Sequence, residues 1–431
     1  MNVLLVGSGG REDALAWALC RSPLLTRLRC APGNAGMARR ASTVAIDAAD
    51  VEALVAHVRA ERYDLVVVGP EAPLVAGISD RLRALDVAVF GPSAAAARLE
   101  GSKVFAKQFM ARHSIPTAAF RVFDDAAPAI DFLQSREAAY PLVIKADGLA
   151  AGKGVLFASD AGEAVAAVRG LMVERRFGPA GASVVVEERL AGREASFFVL
   201  CDGRRFVELA TCQDYKRALD GDAGPNTGGM GSCSPSLHLT ESARREVLAS
   251  AVAPAVAGLA AEGHPYRGVL YVGVMLAADG PQVLEFNARF GDPEAQVLLP
   301  RLDGDWLELL HAAAVGNLGA LVPRWRPDAA VCVVMTAEGY PGRYATGRAI
   351  DGLERAAEIE GVELFHAGTA LGPDGRCVTA GGRVLGVTAV GPDLASARVR
   401  AYHAVDLISW DGERHRTDIA LDALAQPARR T

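Results

Sequence analysis

An alternation of short apolar runs, glycine-rich turns and helical stretches at the amino end constrains the fold most strongly. Residues 3–6 are apolar, residues 7–10 read Gly-Ser-Gly-Gly, and residues 11–20 have helical spacing. Residues 65–68 repeat the apolar run before a Gly-Pro-Glu turn. Alternating strands and helices favour a parallel sheet with ligand-binding loops at the carboxyl ends of its strands. We therefore predict a parallel α/β domain over residues 1–102.

The middle of the chain predicts antiparallel sheets instead. Strand candidates lie at residues 142–146, 155–158 and 184–188, with a helix that begins after Asp160. Two hairpins follow, each with an Asp-Gly turn. Residues 195–201 pair with 206–211, and residues 269–277 pair with 283–287. These elements predict a compact α+β unit followed by a central antiparallel sheet.

A third domain is predicted near the carboxyl end. Residues 330–335 and 383–390 are strand candidates, and residues 395–407 have helical spacing. Because domains typically run from roughly 50 to 250 residues, we expect two further domains at 103–327 and 328–431. The predicted fold class is a multidomain combination of α/β and α+β architecture.

Composition excludes several classes of function. The 431 residues carry a formal net charge of −6, which provides no basic field for a nucleic-acid backbone. No stretch approaches the about 18 uninterrupted apolar residues of a membrane span, and the start lacks the features of a signal peptide. We therefore expect a cytoplasmic protein with no nucleic-acid or membrane partner. Since no heptad repeat is present, we expect a monomer.

The first glycine turn predicts a binding site for a small phosphorylated ligand. Backbone N–H groups at Gly9 and Gly10 would lie at the positive end of a helix, and Arg11 adds a guanidinium suited to phosphate. A nicotinamide-dependent oxidoreductase would need glycine where this chain has Glu12. The structural alternative is a tight turn without a ligand, because glycine is the usual residue there.

A second glycine-rich loop, residues 145–154, joins two predicted strands. It is not a Walker A loop, because its glycine spacing is one residue short and Gly154 follows the lysine. Lys145 and Lys153 can still offset the charge of a polyphosphate while backbone N–H groups donate to it. The alternative is a plain hairpin with surface lysines.

Residues 283–287 predict a metal site. In a strand, the period of two places Glu285 and Asn287 on one face. A carboxylate and an amide oxygen suit Mg²⁺, which gains further ligands from nucleotide phosphates. Arg289 follows two residues later and is suited to phosphate or carboxylate. The alternative is a strand with a solvated polar face.

Together with a third glycine-rich segment at 213–231, these motifs resemble a known family. The chain closely resembles the glycinamide ribonucleotide synthetases, ATP-grasp ligases of purine biosynthesis, over essentially its whole length. The resemblance rests on residues 7–12, 69–74, 145–154, 224–231 and the highly specific string Arg-Phe-Gly-Asp-Pro-Glu at 289–294. It implies an N-terminal α/β domain, an ATP-grasp core with a mobile lid at about 118–189, and a small C-terminal domain.

The resemblance also implies roles for individual residues. ATP would be held by Lys103, Lys145, Gly152, Lys153, Gly154, Glu187, Glu188, Leu190 and Glu194. Within this set, Glu187, Glu188 and Leu190 would lie beside adenine, and Glu194 would reach the ribose. The substrates, phosphoribosylamine and glycine, would lie against Gly9, Gly10, Arg11, Pro70, Glu71, Lys216 and Asp292. Mg²⁺ or Mn²⁺ would be held by Glu285 and Asn287. Catalysis would involve Lys145, Asp214 and Arg289.

Two positions depart from the family pattern. The family usually has histidine after Gly-Arg-Glu, and here Asp13 replaces it. An acid would repel a ribose phosphate, so Asp13 either points away or the substrate lies elsewhere. Cys233 stands where the family commonly has an aromatic residue, which affects local packing rather than chemistry.

The implied reaction phosphorylates glycine with ATP, after which the amine of phosphoribosylamine displaces phosphate from glycyl phosphate. The products would be glycinamide ribonucleotide, ADP and phosphate. Three alternatives remain: an ATP-grasp ligase with another acid substrate, a nicotinamide-dependent oxidoreductase, and a nucleotide-binding protein without catalysis. Glycine-dependent ATP hydrolysis tests the first and NAD(P)H binding the second. The third would require loss of the ATP and metal residues, and these are present.

Overall fold

A computed structural model describes residues 1–150 and 153–422, so the predicted ATP contact at Gly152 lies outside the described residues. The N-terminal domain has strands β1 (Asn2–Gly7), β2 (Arg27–Pro32), β3 (Ser42–Thr43), β4 (Leu65–Val68) and β5 (Ala88–Phe90). Its helices are α1 (Gly10–Leu19), α2 (Val51–Glu61), α3 (Glu71–Val75), α4 (Ile78–Arg83) and α5 (Ala94–Gly101). The strands are parallel, in the order β3-β2-β1-β4-β5, which confirms the predicted parallel sheet.

Continuous apolar runs place β1 and β4 at the centre of this sheet. Leu4, Leu5 and Val66 have no exposed surface, as expected of parallel strands covered on both faces. The carboxyl ends of β1 and β4 lead directly into α1 and α3. The two glycine turns at 7–10 and 69–71 therefore lie side by side at one edge of the sheet.

The next elements form the smaller unit predicted as a lid. Helix α6 (Lys103–Arg112) precedes β6 (Phe120–Phe123), α7 (Ala126–Gln134), β7 (Leu142–Ala146), β8 (Val155–Ala158), α8 (Ala161–Val168) and β9 (Val184–Glu188). The strands form an antiparallel sheet in the order β6-β9-β7-β8, and β7, β8 and β9 have the predicted bounds. Ile144 packs in the lid core, so the alternation of a strand turns Val143 and Lys145 to the opposite face.

The central region begins with β10 (Arg193–Asp202), β11 (Phe206–Glu208), β12 (Gln213–Asp214), β13 (Arg217–Leu219), β14 (Ala223–Asn226) and β15 (Gly231–Ser234). It continues with α9 (Glu241–Val247), α10 (Ala253–Ala261), β16 (Arg267–Ala277), β17 (Gly280–Asn287), α11 (Glu294–Leu298) and α12 (Trp306–Val315). Both predicted hairpins are confirmed in an antiparallel sheet of order β11-β10-β16-β17. Gly203 and Gly280 turn them with φ of 99° and 117°, conformations that favour glycine. Strand β11 ends at Glu208, earlier than predicted.

The C-terminal region contains β18 (Ala329–Ala337), α13 (Leu353–Ala357), β19 (Val362–His366), β20 (Thr369–Leu371), β21 (Cys377–Thr379), β22 (Arg383–Gly391), α14 (Leu394–Val405) and β23 (Glu413–Arg414). Its main antiparallel sheet has the order β12-β15-β18-β22-β19, with β23 also paired to β18. Strands β12 and β15 belong to the glycine-rich segment 213–231 and its continuation. Because β15 pairs with β18 and β12 pairs with β15, both strands belong to the C-terminal sheet. The sequence had predicted them as part of the central domain. Cys233 on β15 is buried in that sheet's core.

Throughout residues 1–150 and 153–422, no helix is both long enough and apolar enough to cross a membrane.

Removal of the Phe365 side chain tests the joint between the first and last domains. Phe365 has no exposed surface, and its ring meets Trp17 edge-on at 6.1 Å between centroids. We expect Phe365→Ala to lower the free energy of unfolding by about 3–5 kcal/mol, because it leaves a cavity among packed side chains. Denaturant unfolding measures this change. Leu371→Ala is the control, since Leu371 is 62% exposed; an equal loss in both variants would contradict the expected role of Phe365.

Candidate functional site

A cavity of about 1330 Å³ lies where the N-terminal domain, lid, central sheet and C-terminal sheet meet. It is lined by nearly all of the predicted site residues: Arg11, Pro70, Glu71, Lys103, Lys145, Lys153, Gly154, Glu187, Glu188, Leu190, Glu194, Asp214, Lys216, Glu285, Asn287, Arg289 and Asp292. Gly9 and Gly10 are not among the lining residues, although the neighbouring Arg11 is. A smaller cavity, about 700 Å³, lies at the far end of α1 against Trp17 and Arg21, and no predicted site residue lines it.

A buried lysine–glutamate–lysine cluster forms the lid side of the cavity. Lys145 Nζ lies 2.5 Å from Glu187 Oε1 and donates to the Leu284 carbonyl at 3.2 Å. Lys107 pairs with the other oxygen of Glu187 and donates to Thr117 Oγ1 at 2.6 Å. Burial lowers the pKa of Lys107 to about 8 despite the opposing effect of Glu187. Glu187 was predicted beside adenine, but its carboxylate is engaged by both lysines.

The candidate metal ligands end strand β17. Burial raises the pKa of Glu285, but the nearby cations Lys216, Lys103, Lys145 and Arg289 more than offset this effect and lower it to about 2. Glu285 is therefore ionised at neutral pH. The Oδ1 atom of Asn287 accepts from Arg289 Nη2 at 3.3 Å. A charged carboxylate and an amide oxygen at one strand end fit a hard divalent cation.

Arg289 is held by carboxylates of the N-terminal domain. Its Nη2 lies 2.7 Å from Glu100 Oε1, and its Nε lies 3.3 Å from Glu71 Oε2. The second oxygen of Glu100 accepts from the Ala288 backbone at 2.6 Å. These contacts hold the guanidinium against the cavity wall beside Asn287. Arg289 thus contacts Asn287, one of the two candidate metal ligands.

Asp214 and Lys216 also line the cavity, and the ammonium group of Lys216 lies close enough to Glu285 to influence its charge. Lys216 Nζ is 3.2 Å from Glu194 Oε2 and 3.8 Å from Asp214 Oδ2. Burial lowers the pKa of Lys216, but Asp214 and Glu194 raise it well above its ordinary value. Glu194, the predicted ribose ligand, is therefore paired with a lysine in this structure.

The first glycine turn is already occupied by carboxylates of the protein. Glu12 Oε2 accepts from the Gly9 backbone at 2.7 Å, and Asp292 Oδ2 accepts from the Arg11 backbone at 3.4 Å. The Arg11 guanidinium donates to Glu12 Oε1 at 2.5 Å and to the Phe290 carbonyl at 3.1 Å. A phosphate at these backbone amides would displace the carboxylates, so a phosphoribosyl group at this turn stays a prediction.

The C-terminal domain supplies a wall of the cavity that the sequence did not predict. Arg383 donates to the carbonyls of Gly228 and Asp292, each at 2.7 Å, and lies 3.4 Å from Asp292 Oδ2. The Tyr340 hydroxyl accepts from the Gly228 backbone at 3.0 Å. The third glycine-rich segment is therefore fixed between the last domain and the string at 289–294.

Asp13, the departure from the family pattern, points away from the cavity. Its Oδ2 accepts from the His366 backbone at 2.7 Å, and its Oδ1 is 3.6 Å from Arg40 Nε. Burial raises its pKa from 3.8 to about 6, although the His366 amide and Arg40 oppose the change. Gly36 makes room for it, because a Cβ there would lie 2.4 Å from Asp13 Oδ2.

Sequence reasoning assigned no role to several residues of the site. Lys107 lies four residues after Lys103, and helical spacing could have placed both on one face. Ser196 and Tyr271 are polar residues within long apolar strands, which is a signal of a buried polar contact. The roles of Glu100 and Arg383 could not be predicted from neighbouring residues, because their ion-pair partners Arg289 and Asp292 are distant in the chain.

The fold and the site define an ATP-grasp protein. Models of the phosphoribosylglycinamide synthetase domains match the chain over residues 1–100 for the N domain, 101–295 for the ATP-grasp domain and 330–422 for the C domain. The chain therefore belongs to the phosphoribosylglycinamide synthetase family.

Individual relatives agree over their full lengths. The chain is 52% identical to the phosphoribosylamine–glycine ligase of Mesorhizobium japonicum, with 99% of each chain covered. It is 48% identical to the Escherichia coli protein of that name, with 98% and 99% covered. The crystal structure of phosphoribosylamine–glycine ligase from Thermotoga maritima matches with a TM-score of 0.86 at 34% identity, covering 97% of this chain and 100% of that one. Biotin carboxylase from Campylobacter jejuni shares the fold alone, with a TM-score of 0.75 at 16% identity and 99% and 95% coverage.

Replacement of Asp13 should make stability less dependent on pH. The native pKa, about 6, exceeds the ordinary value of 3.8, so the native state binds a proton more tightly than the unfolded state between these values. The contribution of this bound proton to the free energy of unfolding is complete below pH 3.8. It is lost as pH rises through about 6, where Asp13 ionises in the native state. We expect Asp13→Asn to exceed the wild type in unfolding free energy by about 3 kcal/mol at pH 7.5, and by less at pH 5.

Urea unfolding at the two pH values measures this difference. Asp124→Asn is the matched control, because Asp124 is exposed and its neutralisation should change little. An Asp13→Asn variant that is no more stable than the wild type at pH 7.5 would refute the buried-charge explanation.

Proposed function

We infer that the chain is an ATP-dependent carbon–nitrogen ligase that joins glycine to phosphoribosylamine in purine biosynthesis. Its products are glycinamide ribonucleotide, ADP and phosphate. The observation that carries this function is the ionised Glu285 beside Asn287, surrounded by Lys103, Lys145 and Arg289 in one cavity. Such a site suits a nucleotide polyphosphate and its metal, and the chain matches named ligases over its full length.

The chemistry explains why ATP is required. Glycine's carboxylate is a poor electrophile, so one oxygen must first become a leaving group by phosphorylation. The carboxylate takes the γ-phosphoryl group of ATP in an in-line transfer, which needs positioning and offset of charge rather than a covalent enzyme intermediate. The amine of phosphoribosylamine then displaces phosphate from glycyl phosphate.

We propose that the lid cations and the α6 terminus hold the polyphosphate. Lys103 and Lys145 would contact the phosphates, with Lys153 and Gly154 covering them from the loop between β7 and β8. Because Glu187 already fixes Lys145, the ammonium group is oriented before ATP binds. This preorganisation lowers the cost of collecting charge at the moment of transfer.

The nucleoside would lie beyond β9. Glu188 and Leu190 would line the adenine pocket, and Glu187 would contribute its backbone rather than its paired carboxylate. Glu194 would bind the ribose after release from Lys216. We propose that the lid closes over this pocket and keeps water from the acyl phosphate.

We propose that Glu285 and Asn287 hold Mg²⁺, with Mn²⁺ as an alternative. Their oxygen donors fit either ion, and ATP-grasp proteins use a divalent metal. When bound, the ion would offset negative charge on the transferring phosphoryl group. The contributions of the chain itself are the ionised carboxylate of Glu285 and the guanidinium of Arg289 held beside it.

The substrates would occupy the remaining walls. Glycine would lie near Arg289, Asp214 and Lys216, where cations meet its carboxylate and Asp214 meets its ammonium group. Phosphoribosylamine would approach from Pro70, Glu71 and Asp292, with its phosphate towards the turn at 9–11. We propose that the protein acts as a cytoplasmic monomer, which sedimentation at several protein concentrations would test.

Phosphate release with one component omitted at a time tests this function. With ATP, Mg²⁺, glycine and freshly generated phosphoribosylamine, we expect release that requires both substrates and stops when EDTA removes the metal. Release indifferent to glycine would reject the assignment in favour of an ATP-grasp ligase for another acid.

Glu285→Gln tests the metal site in the same assay. We expect a loss of at least about a hundredfold in turnover, the scale of removing one charge-stabilising group, with partial recovery at high Mg²⁺. Glu354→Gln is the control, because Glu354 is exposed on α13. Full activity of Glu285→Gln would place the metal elsewhere.

A further inference from the structure

Two acidic side chains from distant parts of the sequence meet on the wall of the cavity. Asp214 ends β12, and Glu294 begins α11. Ser196 Oγ lies 3.3 Å from Asp214 Oδ1 and 3.4 Å from Glu294 Oε1. The hydroxyl of Tyr271 lies 2.9 Å from the same Ser196 oxygen. Both carboxyl groups line the cavity.

The fold reserves space for Glu294 in this position. A Cβ on Gly291 would lie 2.3 Å from Glu294 Oε2, so the carboxyl group occupies the space that a side chain at residue 291 would need. Glu294 is 3% exposed and Ser196 is 1% exposed. The carboxyl group is therefore held by packing and faces the cavity rather than bulk solvent.

The shared serine hydroxyl links the protonation of the two carboxyl groups. A serine hydroxyl has one hydrogen and can donate to only one of its two acidic neighbours at a time. Two adjacent buried carboxylates repel each other, and a proton held by one of them relieves this repulsion. Burial and Asp214 raise the pKa of Glu294 to about 7, and burial also raises that of Asp214.

Charged and titratable groups face Glu294 from each element packed against it. They are Asp214 and Lys216 at β12, Tyr271 on β16, Arg289 after β17, Cys212 before β12, Cys332 on β18 and Arg383 on β22. The arginines and Lys216 favour the ionised form, whereas Asp214 opposes it. Glu294 can consequently gain and lose a proton near neutral pH.

The second half of the proposed reaction needs such a group. When the neutral amine attacks the acyl carbon of glycyl phosphate, its nitrogen becomes positively charged. One N–H proton must leave before a stable amide can form. The residues proposed to bind ATP, metal, glycine and phosphoribosylamine leave this proton without an acceptor.

We propose that Glu294 is the catalytic base of the ligation step, with Asp214 and Ser196 as its positioning residues. This proposal rests on the proposed function. The nitrogen forms a bond to the acyl carbon, and the bond between that carbon and the phosphate oxygen breaks. Phosphate leaves with the bonding electron pair, and the amine proton passes to the Glu294 carboxylate. Solvent later receives that proton when the products leave.

A comparison of two acceptors tests this assignment. Free hydroxylamine reacts with acyl phosphates without a positioned base, so glycine hydroxamate reports formation of glycyl phosphate alone. Glycinamide ribonucleotide reports both steps. With Glu294→Gln, we expect unchanged hydroxamate formation and a loss of about a hundredfold or more in glycinamide ribonucleotide, the usual contribution of a general base.

The pH profile provides a second readout. In the wild type, glycinamide ribonucleotide formation should decline below about pH 7 as Glu294 becomes protonated, and this acid limb should disappear in Glu294→Gln. Glu294→Asp keeps a carboxyl group and should recover part of the rate. Glu354→Gln, on the exposed face of α13, should match the wild type in both assays.

Two results would overturn the proposal while the wild-type enzyme still uses glycine and phosphoribosylamine. Equal loss of hydroxamate and ribonucleotide in Glu294→Gln would assign the pair to glycine binding or phosphorylation. Full ribonucleotide formation in that variant would show that no base is needed at this position. A wild-type enzyme that makes neither product would instead reject the proposed function itself.

Discussion

The arrangement of domains depends on pairing the buried charges of the segment that follows β17. Arg289 is paired with Glu100 and Glu71 of the N-terminal domain, and Asp292 is paired with Arg383 of the C-terminal domain. An unpaired buried charge is costly in free energy. The short segment that follows the central sheet can therefore be buried only when both outer domains are in place, and the cavity forms where they meet.

Ion pairs within the cavity also prepare it for an anionic ligand. Lys145 is held by Glu187, and Lys216 is held by Glu194 and Asp214. These contacts orient both ammonium groups without a nucleotide, and the two carboxylates also raise the pKa of Lys216. A polyphosphate that enters meets cations already in position, which reduces the reorganisation that charge transfer would otherwise require. The family to which the chain belongs and the cations of the cavity thus agree on a site for ATP.

Local patterns explain the parts of the structure that were predictable. The lid strands, the two central hairpins and the parallel amino-terminal sheet follow from periodicity and from glycine at turns. Lys145 faces the cavity because alternate residues of β7 pack into the lid core. Glu285 and Asn287 both line the cavity because they are alternate residues of β17 and therefore lie on one face of that strand. Each of these features depends on neighbours within a few residues.

By itself, the sequence determined the fold class, the residue types at the site and many of the strands and helices, because these depend on local periodicity and on motifs. Only the tertiary structure decided which charges meet. It placed β12 and β15 in the C-terminal sheet, engaged Glu187 with two lysines, and turned Asp13 towards His366. It also brought Asp214 beside Glu294. The physical reason is that hydrogen bonding, desolvation and Coulomb interactions depend on distance in space, and residues far apart in the chain carry no local record of their partners.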